Sequence, residues 1–166
     1  MKVEEICTRV VRTCTKETRL SEAGNLMWDG DCGILPVVDE AGRVVGVVTD
    51  RDLCMALSLT GQPATEVPVR LLLRTALHTC RLGDSLRDAL RTMRSQRVRR
   101  LPVVDGAGVL QGILSLSDLA LAAKPERLAE PSDVTDEDLA LAFKTICGRR
   151  PPLEAPVGAP QSTSFV

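Results

Sequence analysis

Residues 35–53 read LPVVDEAGRVVGVVTDRDL, and residues 101–119 read LPVVDGAGVLQGILSLSDL. Laid over each other without a gap, the two stretches agree at ten of nineteen positions. The same offset, 102 minus 36, continues towards the N-terminus, where Cys14 falls on Cys80, Leu20 on Leu86, Ala23 on Ala89 and Met27 on Met93. The repeating unit is therefore about sixty residues long and occurs twice. Two similar folding units are expected.

Within each unit the hydrophobic period changes in the same order. TRVVRTC and TALHTC predict first strands, with His78 as an ordinary strand side chain. A helix follows, with a cap expected at Thr18 or Asp84. Its core stripe is Leu20, Ala23, Gly24 and Met27 in one copy and Leu86, Ala89, Leu90 and Met93 in the other. Two short aliphatic runs then flank DEAG or DGAG, a polar hairpin turn with Gly42 or Gly108. A second helix starts near Asp50 or Leu116. Each half thus reads β-α-β-β-α, with room for a helical turn ahead of it at KVEEIC or VRLLL. One copy alone leaves an apolar sheet face bare. Two copies are expected to pack sheet to sheet about a pseudo-twofold axis, in an α/β (α+β) fold.

These signals divide the chain into a first repeat over 1–61, a second over 62–123, an extension over 124–147 and a Pro-rich flexible tail over 148–166. TGQPATEVP, residues 60–68, reads as the linker between repeats. In the extension, Thr135 and Asp138 have capping-box spacing, and Leu139, Phe143 and Ile146 share the side expected to pack back on the repeats.

Composition narrows the function classes. A 166-residue chain with 44% hydrophobic residues can bury a core. Its longest aliphatic runs are of strand length, far short of the roughly 20 residues a bilayer crossing needs. The opening MKVEEICTRV lacks an apolar signal core, so a cytoplasmic, non-membrane protein is expected. Six scattered cysteines without a C-x-x-C pair read as reduced, buried thiols, and a single histidine argues against a metal site. A net charge of −1, 2% aromatic residues and no tyrosine weigh against nucleic acid. Arg91, Arg94, Arg97, Arg99 and Arg100 crowd one helix end, where cations complement the helix dipole. There is no phosphate-loop motif and no nucleophile–base–orienter set, so no catalytic residue is assigned and an enzyme is not expected.

The repeated phrase has two readings. Thr49 with Asp52, and Ser115 with Asp118, have the spacing of capping boxes, in which hydroxyl and carboxylate satisfy the free amides of a helix start. The same hydroxyl and amides suit a phosphate, and the acid suits the two hydroxyls of a ribose. Both readings use one carboxylate.

The tandem L-P-V-V-D, then G, then G-h-h-[TS]-x-x-D-L pattern resembles the paired cystathionine β-synthase (CBS) domain, or Bateman module, over residues 1 to about 123. The resemblance implies two repeats packed sheet to sheet around two clefts. It further implies a regulatory module for an adenosine-containing ligand (AMP, ADP, ATP or S-adenosylmethionine), a homodimer, and a regulated protein partner. No cofactor is required. Carried over by position, Asp118 would hold a ribose and Ser115 a phosphate, with Arg99 and Arg100 beside phosphate or base and Thr8 reaching into this cleft from the opening segment. The other cleft would use Thr49 and Asp52, with Arg51 near phosphate and Gly33 and Ile34 along the base. Arg74 stands where Thr8 would repeat, and the first copy lacks the arginines that precede Leu101. The Ser115 cleft therefore ranks first, as the one keeping both motif and positive charge. A ligand-independent interaction or dimerisation module is the alternative, with both motifs serving only as caps.

Overall fold

The computed structural model describes residues 1–73 and 76–148; Arg74 and all but the first residue of the Pro-rich tail lie outside them. In chain order the elements are α1 (Leu20–Asp29), β1 (Ile34–Val38), β2 (Val44–Thr49), α2 (Asp50–Thr60), β3 (Cys80–Arg81), α3 (Leu86–Gln96), β4 (Arg100–Val104), β5 (Leu110–Ser115), α4 (Leu116–Ala122) and α5 (Asp136–Cys147). Short 3-10 turns at Val3–Glu5 and Val69–Leu72 precede the two halves. The fold is mixed α/β. None of the described helices is long and apolar enough to cross a membrane.

The duplication is written into the hydrogen bonds. β1 and β2 form an antiparallel hairpin, as do β4 and β5, and the registers correspond residue by residue. Asp39 Oδ1 accepts from the amides of Ala41 and Arg43, and Asp105 Oδ1 from those of Ala107 and Val109. Each Asp thereby ties its own turn, whose left-handed position is filled by Gly42 or Gly108 (φ +75° and +84°). The two hairpins then meet: Val44 N donates to Gly108 O and Leu110 N to Gly42 O, both at 3.0 Å. Each of these bonds is the other moved by one repeat, which makes the seam pseudo-twofold.

The opening segments are exchanged across that seam. Val3 and Cys7 lie in the core of the second half, with Leu86, Met93, Leu101 and Leu114, whereas Val67 and Val69 lie in that of the first, with Leu20, Leu35 and Val48. Isolated bridges join Lys2 to Ser85 and, in the matching position, Arg19 to Pro68. Gly112 permits the closest approach. A β-carbon there would stand 2.6 Å from Thr8 O, and Thr8 and Ile113 exchange two backbone hydrogen bonds of 2.9 Å beside it. The equivalent Gly46 would instead meet Cδ2 of Leu73 at 2.7 Å.

Several expectations are corrected. TRVVRTC forms no strand, because its ends are claimed by different halves: Thr8 bridges to Ile113 and Cys14 to Val37, so no single ladder can run between them. Of TALHTC, Thr75 lies outside the described residues, residues 76–79 including His78 lie outside any strand, and Cys80 enters the two-residue β3, paired in parallel with β4. Thr18 does not cap α1. The first α1 amides are taken instead by carbonyls of the linker, Leu20 N by Val67 O and Ser21 N by Ala64 O. Ser85, not Asp84, caps α3, since Asp84 is engaged by the amide of Arg81. Cys7, Cys14 and Cys80 are buried, but Cys54 and Cys147 are exposed. Burial pushes the thiol of Cys14 up to about 11 and that of Cys80 up to about 12, so both pack as protonated, small apolar groups.

Helix α5 starts at the expected capping box, with Thr135 Oγ1 accepting from Asp138 N. It packs on α3 and α4 through Leu139 and Ala142, while Phe143 is half exposed rather than inward-facing. Buried Asp133 anchors its start, accepting from Lys124 Nζ and from the Met1 amino group, each at 2.7 Å. Those two cations hold its carboxyl well below the ordinary carboxylate range, Lys124 contributing most.

Candidate ligand-binding clefts

Each helix that follows a hairpin begins with a working cap. Ser115 Oγ accepts from Asp118 N at 3.1 Å, while Asp118 Oδ2 accepts from Ser115 N and Ser115 Oγ, both at 2.8 Å. Thr49 and Asp52 repeat the arrangement, with Thr49 N 3.0 Å and Thr49 Oγ1 2.6 Å from Asp52 Oδ2. The two readings of the carboxylate are therefore compatible. Asp118 spends Oδ2 on the cap, and its Oδ1 receives no hydrogen bond among the described residues.

Asp118 and Ser115 border a cavity of about 590 Å³ together with Thr8, Val10, Val11, Arg12, Asp31, Ile34, Arg100 and Ile113. Thr8 reaches it because its backbone is pinned to Ile113. Both halves contribute, with Ile34 opening β1 and Arg100 opening β4.

Thr49 and Asp52 border a second cavity, of about 890 Å³, with Gly33, Asp50, Arg51, Arg97, Arg99, Arg100, Ile146 and Cys147. Gly33 suits its place: a β-carbon there would stand 2.8 Å from Asp50 Oδ2. The last turn of α5 forms one wall.

Two assignments change sides. Ile34 borders the Ser115 cavity, although its neighbour Gly33 stays with Thr49. Arg99 borders the Thr49 cavity, and Arg100 borders both. Successive residues entering a strand point to opposite faces, and here the two faces serve different clefts. The ranking by charge is corrected with them, because the arginine cluster lies chiefly in the Thr49 cleft. Sequence reasoning also passed over Val10, Val11, Arg12 and Asp31, and over Ile146 and Cys147 of α5. The repeat offset carried one usable signal: Asp31 and Arg97 are equivalent, and both adopt positive φ (45° and 52°) at the turn after a helix.

Paired halves, each a hairpin between two helices, an exchanged opening segment and a capped Ser/Thr–Asp motif at each of two clefts define a tandem-repeat module of the Bateman type. The CBS domain family model matches residues 3–59 and 69–124, and the chain belongs to that family. The chain is similar to the CBS domain-containing protein YhcV of Bacillus subtilis, with 34% identity over 119 residues, covering 72% of this chain and 83% of that one. It also resembles the crystal structure of CBSX2 in complex with AMP, at TM-score 0.63 and 28% identity, covering 73% of this chain and 94% of the other. The CBS domain pair of protein MJ0100, solved in complex with 5-methylthioadenosine and S-adenosyl-L-methionine, shares the fold at TM-score 0.66 and 21% identity over 73% of this chain and 94% of its own.

Proposed function

We propose that this protein is a regulatory binding module in which an adenosine-containing ligand enters the clefts between the CBS repeats and stabilises one arrangement of the two halves. The observation that carries the reading is Asp118: one carboxylate oxygen completes the helix cap and the other is left to accept from ribose hydroxyls at a cavity that Thr8 and Arg100 also border. In this reading Ser115 and Arg100 face the substituent that the ribose carries. Gly33, Thr49, Arg51, Asp52 and Arg99 act in the second cleft. AMP in the related CBSX2 complex supports the ligand class, and S-adenosylmethionine belongs to the same class. No catalytic step is assigned.

The coupling follows from the lining. Because residues of both halves border each cavity, a ligand there has different affinity for different arrangements of the halves, and that difference is what shifts a population. At a ligand concentration one hundred times the dissociation constant, binding adds about 2.7 kcal/mol to stability. Thermal melts with AMP, ADP, ATP and S-adenosylmethionine test this. At least one compound should raise the melting temperature, and Asp118→Asn should reduce the rise given by a compound held in the Ser115 cleft while costing the empty protein about 1 kcal/mol or less. No rise with any of them would sink the proposal.

Met55, Leu59 and Leu71 present an exposed apolar edge beside α2, which supports homodimerisation, with or without ligand. Light scattering of the wild type against Leu59→Lys tests it: the wild type should be a dimer and the variant a monomer.

A further inference from the structure

We infer that the two clefts select different ligands: the Thr49 cleft takes a nucleoside di- or triphosphate, and the Ser115 cleft takes an adenosine compound of little net charge. This rests on the reading that the clefts hold adenosine compounds.

The duplication supplies an internal control, because the residues that the repeats themselves bring to one cleft have equivalents in the other copy. Asp31 corresponds to Arg97, Gly33 to Arg99, Ile34 to Arg100 and Ser117 to Arg51. At each of these four positions the arginine borders the Thr49 cavity. Of the counterparts, Asp31 and Ile34 border the Ser115 cavity. The Thr49 cavity therefore sets four guanidinium groups against the carboxylates of Asp50 and Asp52, whereas the Ser115 cavity sets Arg12 and Arg100 against Asp31 and Asp118. None of Arg51, Arg97, Arg99 and Arg100 has an ion-pair partner among the described residues, although Arg43, Arg70, Arg87 and Arg91 each have one. Four guanidinium groups converging on one cavity repel one another, and a polyanion bound between them reverses that repulsion. Arginine's planar fork suits phosphate oxygens in particular.

Size and lining point the same way. The Thr49 cavity is about 890 Å³ against about 590 Å³, room for a longer phosphate chain. The Ser115 cavity carries Val10, Val11, Ile34 and Ile113, a lining suited to a base and a short uncharged substituent. It pairs no surplus of positive charge with that lining.

The experiment is calorimetric titration of the wild type with adenosine, AMP and ATP, repeated with the Arg51→Gln/Arg99→Gln double variant and with Asp118→Asn. Both arginines are exposed, so the double variant should fold, and its melt without ligand checks this. ATP affinity should fall tenfold or more in the double variant, which should retain adenosine binding, and should fall steeply with added salt in the wild type. Adenosine affinity should fall in Asp118→Asn, which should retain tight ATP binding. ATP binding untouched by the double variant, or lost instead in Asp118→Asn, overturns the assignment of clefts while leaving the general reading intact. If the wild type binds none of the three, the general reading falls and this one with it.

Discussion

The Ser115 and Thr49 clefts start from the same local geometry. Ser115 Oγ and Thr49 Oγ1 each accept from the amide three residues on, at 3.1 and 3.2 Å. Their surroundings then part company: the first cavity is bordered by aliphatic side chains and balanced charge, the second by four arginines and the last turn of α5. A capping box involves residues at most three apart, so it survives duplication intact. The character of a cleft depends on residues imported from the other half and from the extension, where the copies have diverged. Equal motifs therefore do not imply equal sites.

The largest expected break in the symmetry lies at the glycines behind the motifs. Gly112→Ala forces a β-carbon onto the Thr8 carbonyl, which its paired hydrogen bonds hold in place, and should cost about 1–3 kcal/mol in chemical denaturation. Gly46→Ala meets only the end of the Leu73 side chain, which can swing aside, and should cost distinctly less. Equal costs would mean that the exchanged segment is not held by backbone contact.

The caps should behave alike. Ser115→Ala and Thr49→Ala should each remove about 1 kcal/mol from the empty protein. A marked difference between them, measured in the same denaturant series, would mean that the surroundings act on the caps as well as on the clefts.

The smallest effect concerns the anchor of α5, which only the second half possesses. The folded-state pKa of Asp133 is lowered, so its stabilising contribution is present above the ordinary carboxylate range and is lost as pH falls below about 4. Hydrogen exchange should therefore show α5 loosening on acidification while α1 and α2 stay protected. Lys124→Met should weaken that dependence, since Lys124 is the main cause of the lowered value. An α5 whose protection is unchanged between about pH 5 and pH 3 would contradict the linkage.

Much of the architecture was legible because it rests on short-range pattern. The start of α2 at Asp50, that of α4 at Leu116 and the capping box of α5 fall where their spacing predicts, since caps and turns are local chemistry. The helix stripes were legible too, and Leu86, Ala89, Leu90 and Met93 are all buried. The first strands were misread because an apolar run shows only that a segment is buried, not what pairs with it. The cap of α1 was misread because its amides are satisfied by carbonyls some forty-five residues away, at Ala64 and Val67.

By itself the sequence determined that there are two copies, where the hairpin and the second helix of each begin, and that each copy carries a hydroxyl and an acid at a helix start. Periodicity and capping act over a turn or two, and the copies can be compared with each other directly. Only the tertiary structure decided that Val67 and Val69 enter the core of the first half and Val3 that of the second, that Ile34 and Gly33 part to opposite clefts, and that Arg97 and Arg99 gather opposite Thr49. Those placements depend on an exchange of segments across a pseudo-twofold seam, and such an exchange is a contact between distant residues that no local pattern records.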